Sequence, residues 1–358
     1  MKTNRTLLAL ALLCIALAAC SRHSAQKPEA PGPQGQNAAS APNAAAMATP
    51  AAPPASAPAQ RGVKTEMRNV KFHLTDQAAA HLETISGEIW PTGKNEMPDF
   101  DDKNSFEVRI TNGKVSISPK SLASILNSYV FVKSDAPLKD LSIAIAGDRM
   151  DIKGKLHNKG DVSFETAGTL SVTPDGRIRV TTEKVKAMHL PVKGVMRIFG
   201  IELANIVNTS KIPGIDTDKN DLLMDLGTLL PPPHIRGKLR AVKLENNAIV
   251  TYFGEGKAPE ETAAGAPKSY MAFEGNAIRF GKLTMDSADL VVYDVDADGE
   301  LDWNQDHYRE QLVAGYSKIT PAFGLHAYAK DYSKLAHEAA ASAGAAVPAA
   351  TGTASSGN

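Results

Sequence analysis

The sequence holds only two cysteines, Cys14 and Cys20, both within its first twenty residues. Beyond Cys20 there is no thiol. That excludes a disulfide framework, a thiolate nucleophile and a cysteine-ligated metal from the folded part. Stability must come from an ordinary core. The sequence also lacks an excess of either charge, with 39 Lys and Arg against 39 Asp and Glu. Without a basic field, no nucleic-acid partner is expected. Catalytic motifs are missing as well: there is no Gly-x-Ser-x-Gly elbow, no His-Glu-x-x-His and no phosphate-cradling loop. His73, His81, His157, His189, His234, His307 and His326 are dispersed, whereas zinc sites ordinarily use a close pair. The expectation is a protein that is not an enzyme. A hydrolase assembled from distant carboxylates is the less favoured alternative.

What is present begins at the first residues. Lys2 and Arg5 precede an apolar run from Leu7 to Ala19. The run is shorter than the roughly 20 apolar residues of a bilayer crossing and suits an export signal. It closes on Leu17-Ala18-Ala19-Cys20, which resembles the box cleaved in bacterial lipoproteins. The alternative is an ordinary secretory signal with a chance cysteine. The resemblance implies removal of 1–19 and lipidation of Cys20, giving a membrane anchor of several acyl chains at about 0.8 kcal/mol per buried CH₂. Ser21, and not aspartate, follows the cysteine, which by the same resemblance points to the outer membrane with the protein facing the periplasm. Residues 20–62, rich in alanine and proline, bury too little to offset the entropy of folding. They read as a disordered tether reaching on the order of 35 Å. Residues 336–358 read as a disordered Ala/Ser/Gly tail, which leaves a β-rich domain over 63–335.

The dominant period in that domain is two. Val70, Phe72 and Leu74 alternate with polar residues, as do Phe106, Val108 and Ile110, and then Leu141, Ile143 and Ile145. Such alternation describes antiparallel strands with one dry face. Turns are expected at Asn112-Gly113, Gly147-Asp148, Asp175-Gly176 and Asn246-Asn247. Ser118-Pro119 reads as the start of a helix carrying Leu122, Ile125 and Leu126. A second helix is expected from about Pro191 to Asn208, apolar over more than half its circumference. A third is expected from Trp303 to Tyr316, with Asp302 as its cap and Gln305 completing a capping box.

One local motif points to a metal. Asp294, Asp296 and Asp298 stand at positions one, three and five, followed by Gly299, Glu300 and Asp302. Oxygen ligands at this spacing with glycine at position six match the start of a calcium loop. Asp294, Asp296, Asp298, Glu300 and Asp302 are therefore candidate ligands for Ca²⁺. Position twelve is Gln305 where a bidentate glutamate is usual, and a strand pattern runs into the motif where a helix is usual. The alternative is an acidic turn favoured by the dipole of the next helix.

The segment from 105 to 250 carries a broader pattern. It runs through Asn112 to Ile117, Ser121 to Asn127, Leu138 to Ile143, Ile152-Lys153-Gly154, Leu170 to Ile178, Val185 to Gly200, and Leu229-Leu230-Pro231-Pro232-Pro233. This order of elements resembles bacterial relatives of tubular lipid-binding domains, including the LmeA-like envelope proteins. The resemblance implies an α+β fold in which a long twisted antiparallel sheet curls around one long apolar helix, with shorter helices besides. It implies a groove lined by Leu122, Ile125, Leu126, Ile143, Ile145, Ile152, Phe164, Val172, Val195, Met196, Phe199 and Leu203. The expected function is a membrane-anchored lipid-binding protein that carries or senses phospholipid or another acyl lipid. The alternatives are a filled core at the same positions, and a structural or assembly lipoprotein that binds an envelope protein.

Overall fold

The computed structural model describes residues 62–157, 161–183, 185–187, 209–210, 212–255, 268–296 and 299–345. All belong to the second of two units of the chain, Ser56–Asn358. Three long strands come first: β1 (Val63–Thr75), β2 (Ala78–Pro91) and β3 (Phe106–Ile117). Helix α1 (Pro119–Ile125) starts where expected: Ser118 Oγ accepts the Ser121 N–H and Pro119 follows the cap. It runs on into one wide π turn over Leu126–Val130. A meander comes next, with β4 (Leu138–Ala146), β5 (Arg149–His157), β6 (Asp161–Val172) and β7 (Ile178–Thr182), and the short β8 (Lys186–Ala187). Past 208 the chain makes β9 (Ile215–Asp218), β10 (Asp221–Met224), α2 (Leu226–Leu229), β11 (His234–Gly237), β12 (Leu239–Glu245) and β13 (Ala248–Phe253). The last part holds β14 (Tyr270–Gly275), β15 (Ile278–Phe280), β16 (Leu283–Met285), β17 (Ala288–Asp294) and β18 (Leu301–Asn304). It ends with α3 (Tyr308–Val313), β19 (Tyr316–Ile319), β20 (Leu325–Ala329) and α4 (Tyr332–Ala345).

The strands form an eleven-stranded sheet ordered β12-β13-β3-β2-β1-β14-β17-β20-β19 with β11 beside β3 and β18 beside β1, a seven-stranded sheet ordered β4-β5-β6-β7-β10-β9 with β8 beside β6, and the β15–β16 hairpin. In the large sheet, β1 and β3 each change partner partway along one edge. β1 pairs antiparallel with β14 from Val63 to Arg68, then parallel with β18 from Val70 to His73. Asn69, at φ 49°, makes the change. An asparagine tolerates that left-handed position where most residues do not. β3 pairs with β11 over Glu107–Ile110 and with β13 over Gly113–Ile117. The expected turn at Asn112-Gly113 falls at this exchange and is no turn: the strand continues through it beside β2, with a break in register between Ile110 and Asn112. The other three expected turns are present, with positive φ at Gly147, Gly176, Asn246 and Asn247.

The expected architecture is corrected. Both sheets are open, and neither curls around a helix. Among the described residues the helices α1, α2 and α3 have seven, four and six residues, and the fourteen-residue α4 is not strongly apolar. The helix expected from Pro191 to Asn208 lies outside the described residues. The fold is a β-rich body, and the likeness to tubular lipid-binding domains does not hold. The helix expected over Trp303–Tyr316 is also corrected. Leu301–Asn304 is a wholly buried strand, and the helix is confined to Tyr308–Val313. The period-two face decides this, since Leu301 and Trp303 go to the core while Asp302 and Asn304 turn to the polar partners below. At the other end, α4 runs through the alanine-rich stretch read as a tail and reaches Ala345.

Aromatic packing holds the C-terminal part to the large sheet. Phe100 stacks on Phe280 at 3.8 Å and meets Phe273 edge-on at 5.4 Å. Trp303, fully buried, lies 5.9 Å from Tyr308. Tyr270, Tyr293, Tyr328 and Tyr316 sit directly opposite one another on β14, β17, β20 and β19. Cross-strand aromatic pairs of this kind contribute roughly 0.2–1 kcal/mol each. They carry β17 and β20 in register to their ends, where the candidate site begins.

Candidate cation site

β17 and β20 run parallel, with Asp294 opposite Ala329 as the last pair. The Val295 N–H donates to the Ala329 carbonyl at 3.0 Å and closes the ladder. Each chain turns away just past this point. On the β17 side, Asp294 Oδ1 accepts the Asp296 N–H at 2.9 Å, the local turn that aspartate favours. On the β20 side, Asp331 stands immediately before α4, and its carbonyl accepts the Leu335 N–H at 3.1 Å. Oxygens of Asp294, Asp296 and Asp331 thereby come within 4.8 Å of one another. This cluster could coordinate a metal ion.

The three carboxylates differ in setting. Asp294 and Asp331 are buried, and Asp296 is exposed, so the cluster opens to solvent on one side. Asp294 is only 4% exposed, and its Oδ2 has no hydrogen-bond partner among the described residues. Burial pushes the Asp294 carboxyl above its ordinary value; the Asp296 N–H opposes this and the Asp331 charge adds to it. Asp331 Oδ1 accepts the Asp302 N–H at 3.2 Å. Lys334 reaches back from the first turn of α4 to Asp296 Oδ2 at 2.6 Å and Asp331 Oδ2 at 3.0 Å. All donors are hard carboxylate oxygens, the set that suits calcium or magnesium and not a softer transition metal.

The structure gathers Asp294 and Asp296 of the expected calcium loop and gives Glu300 and Asp302 other partners. Asp298 lies outside the described residues. The Glu300 carboxylate lies 3.5 Å from His81 Nε2. Asp302 has protein partners: its Oδ1 accepts from His73 Nε2 at 2.6 Å, and its Oδ2 from Ser333 Oγ at 2.6 Å and Lys71 Nζ at 2.9 Å. Gln305 is buried and donates to the Phe100 carbonyl at 2.8 Å. Leu301–Asn304 is a strand and not a loop, which is why Asp302 faces partners on β1 and α4. The ligand missed by sequence reasoning is Asp331, thirty-seven residues beyond Asp294. Its signal was an aspartate placed ahead of an alanine-rich helical stretch, the pattern of a helix cap.

Asp302 carries an acid-sensitivity prediction. Burial alone would raise its carboxyl, but hydrogen bonds from His73, Ser333 and Lys71 hold it well below the usual carboxylate range. A depressed folded value adds stability that is present above the ordinary value and is lost as pH falls through the folded one. Asp302→Asn is therefore expected to be less stable than the wild type at neutral pH. The difference should narrow as the medium is made strongly acid, as read by urea unfolding across pH. A gap that stays constant from neutral to strongly acid pH would contradict this.

The residues expected to line a lipid groove border two apolar gaps, pack on the core beside them, or lie outside the described residues. Leu122 and Ile125 border an apolar gap between the two sheets, with Met67, Leu82, Met150 and Leu226. Leu126, Ile143, Ile152 and Phe164 border a second gap against the smaller sheet. Ile145 and Val172 are half-buried against the same core. Val195, Met196, Phe199 and Leu203 lie outside the described residues. These gaps are walled by open sheets and short helices, not by a curled sheet and a long helix, so the reading as an acyl-lipid carrier is not supported. No helix among the described residues is long and apolar enough to cross a membrane. No protein-family model matches the chain, and neither a curated protein nor a solved structure matches it.

Proposed function

We propose that this protein binds a divalent cation, calcium, through Asp294, Asp296 and Asp331, and that the ion secures the start of α4 to the end of the large sheet. The observation that carries this reading is the buried, unpartnered Asp294 Oδ2 beside two further carboxylates. An uncompensated buried anion is costly, and a cation held among the three removes that cost. Calcium accepts irregular sets of six to eight oxygens, whereas magnesium demands a near-ideal octahedron. Three carboxylates leave room for main-chain carbonyls and water to complete the shell.

Calorimetric titration of the mature protein with CaCl₂ tests this. Saturable heat with a rise in melting temperature is expected. No heat and no shift at several millimolar calcium would overturn the reading. A larger effect from MgCl₂ would reassign the ion.

The lipoprotein-like Leu17-Ala18-Ala19-Cys20 box supports placing this domain on a tether at the cell envelope, where an envelope protein is the expected partner. Cys20→Ser is expected to move the protein from the membrane fraction to the soluble fraction of a two-membrane bacterium. Fractionation followed by blotting reads the result, and unchanged retention in the membrane would refute the anchor.

A further inference from the structure

We infer that Lys334 is a tethered competitor of the divalent ion, and that it sets the affinity of the site and its discrimination against monovalent cations. The inference rests on the cation site proposed above. The Lys334 ammonium bonds Asp296 Oδ2 at 2.6 Å and Asp331 Oδ2 at 3.0 Å, and so occupies oxygens from two of the three carboxylates. Its charge offsets Asp294 only in part, and Asp294 Oδ2 keeps no hydrogen-bond partner among the described residues. Among the described residues, three carboxylates and one ammonium leave a net charge of −2.

Two consequences follow from charge. A sodium or potassium ion brings the same single charge as the ammonium and has to displace a group already bonded at two points, so it gains nothing by entering. A divalent ion brings twice the charge and also reaches Asp294, so it can expel the ammonium with a net gain. The lysine stem is flexible and its side chain is 41% exposed, so the head can swing into water as the ion enters. Helix α4 does not leave with it. Ser333 stays bonded to Asp302 Oδ2 at 2.6 Å and Tyr332 to Asp76 Oδ1 at 3.1 Å. The exchange is local: one cation leaves the rim as another enters. A site closed by its own lysine answers only to divalent concentrations high enough to outcompete it, the regime of about 10⁻⁴–10⁻³ M typical of extracellular calcium modules.

The test compares the wild type, Lys334→Gln and Lys334→Met by CaCl₂ calorimetry and by thermal unfolding with and without calcium, at constant ionic strength. Both variants are expected to bind calcium about tenfold more tightly, the equivalent of losing two partly exposed ion pairs as competitors. Without calcium they should melt lower than the wild type, and saturating calcium should close or reverse that gap. Binding by the variants but not by the wild type also supports the inference. Equal or weaker calcium affinity in both variants, with the wild type binding, overturns the inference and leaves the site itself standing. A melting deficit that calcium does not narrow marks Lys334 as merely structural and overturns it too. No calcium heat in any of the three removes the site and the inference together.

Discussion

Gln311→Leu is expected to cost about 4 kcal/mol of stability, at the upper end for a single substitution. Gln311 is fully buried in α3, and its side chain serves three main-chain groups at once. Its Oε1 accepts the Asn304 N–H at 2.8 Å. Its Nε2 donates to the Asp302 carbonyl at 2.7 Å and to the Lys330 carbonyl at 2.8 Å. Leucine fills a similar volume and leaves one N–H and two carbonyls unsatisfied in the interior. Each such group costs roughly 1–3 kcal/mol, although the three act on one site and will not simply add. The same residue ties β18 to the chain entering α4, so calcium affinity should fall in parallel with stability. Urea unfolding gives the first quantity and calcium titration of the folded variant the second. A loss below about 1 kcal/mol would mean that the structure around Gln311 relaxes or admits water, and that Gln311 does not fix the chain entering α4.

The second large effect belongs to Asp294. At tenfold its dissociation constant, calcium should stabilise the wild type by about 1.4 kcal/mol, equivalent to roughly 3–6 °C in melting temperature for a domain of this size. Asp294→Asn should abolish that increment. In the absence of calcium the same variant should be more stable than the wild type at neutral pH, by on the order of 1–2 kcal/mol, because it removes a buried charge that its neighbours offset only in part. The sign with pH is specific. The folded Asp294 carboxyl lies above its ordinary value through burial, so its favourable contribution is full below the ordinary value and is lost as pH rises through the raised one. The advantage of Asp294→Asn over calcium-free wild type should therefore grow from acid to neutral pH. This is opposite to the Asp302 effect, although the two residues lie in one polar seam. Thermal scans from pH 3.5 to 7.5, with chelator and with calcium, separate the two. If Asp294→Asn is destabilising at neutral pH without calcium, the unpartnered oxygen is not the strained element it is taken to be here.

Local chemistry accounts for what was legible before the fold was known. Asn246 and Asn247 adopt the positive φ that their identity favours, and so do Gly147 and Gly176. Ser118 caps α1 because its hydroxyl accepts the Ser121 N–H that the first turn leaves unpaired, and Pro119 has no N–H to satisfy there. Asn112-Gly113 carries the same local preference, yet it lies within a strand, because β11 and β13 claim successive stretches of one edge of β3. The expected helix at Trp303 gave way for a similar reason. Parallel pairing of Leu301–Asn304 with Val70–His73 buries Trp303 completely, which outweighs a modest helical propensity.

The candidate site divides along the same line. Asp294 and Asp296 are two residues apart, and a turn after a strand is enough to bring them together, so their pairing was written locally. Asp298, Glu300 and Asp302 shared the spacing of a loop, but β18 turned Asp302 toward Lys71 and His73 on a strand more than two hundred residues earlier. Asp331 joined the cluster only because β20 runs parallel to β17 and both end at the same height. By itself the sequence determined a β-rich chain, its local turns, the absence of thiol chemistry after Cys20 and the aspartates of a cation motif. Tertiary structure alone decided that the sheets stay open and which distant carboxylate completes the site. Turn and cap preferences are settled by a residue and its near neighbours, whereas strand partners and ligand sets depend on contacts between residues far apart along the chain.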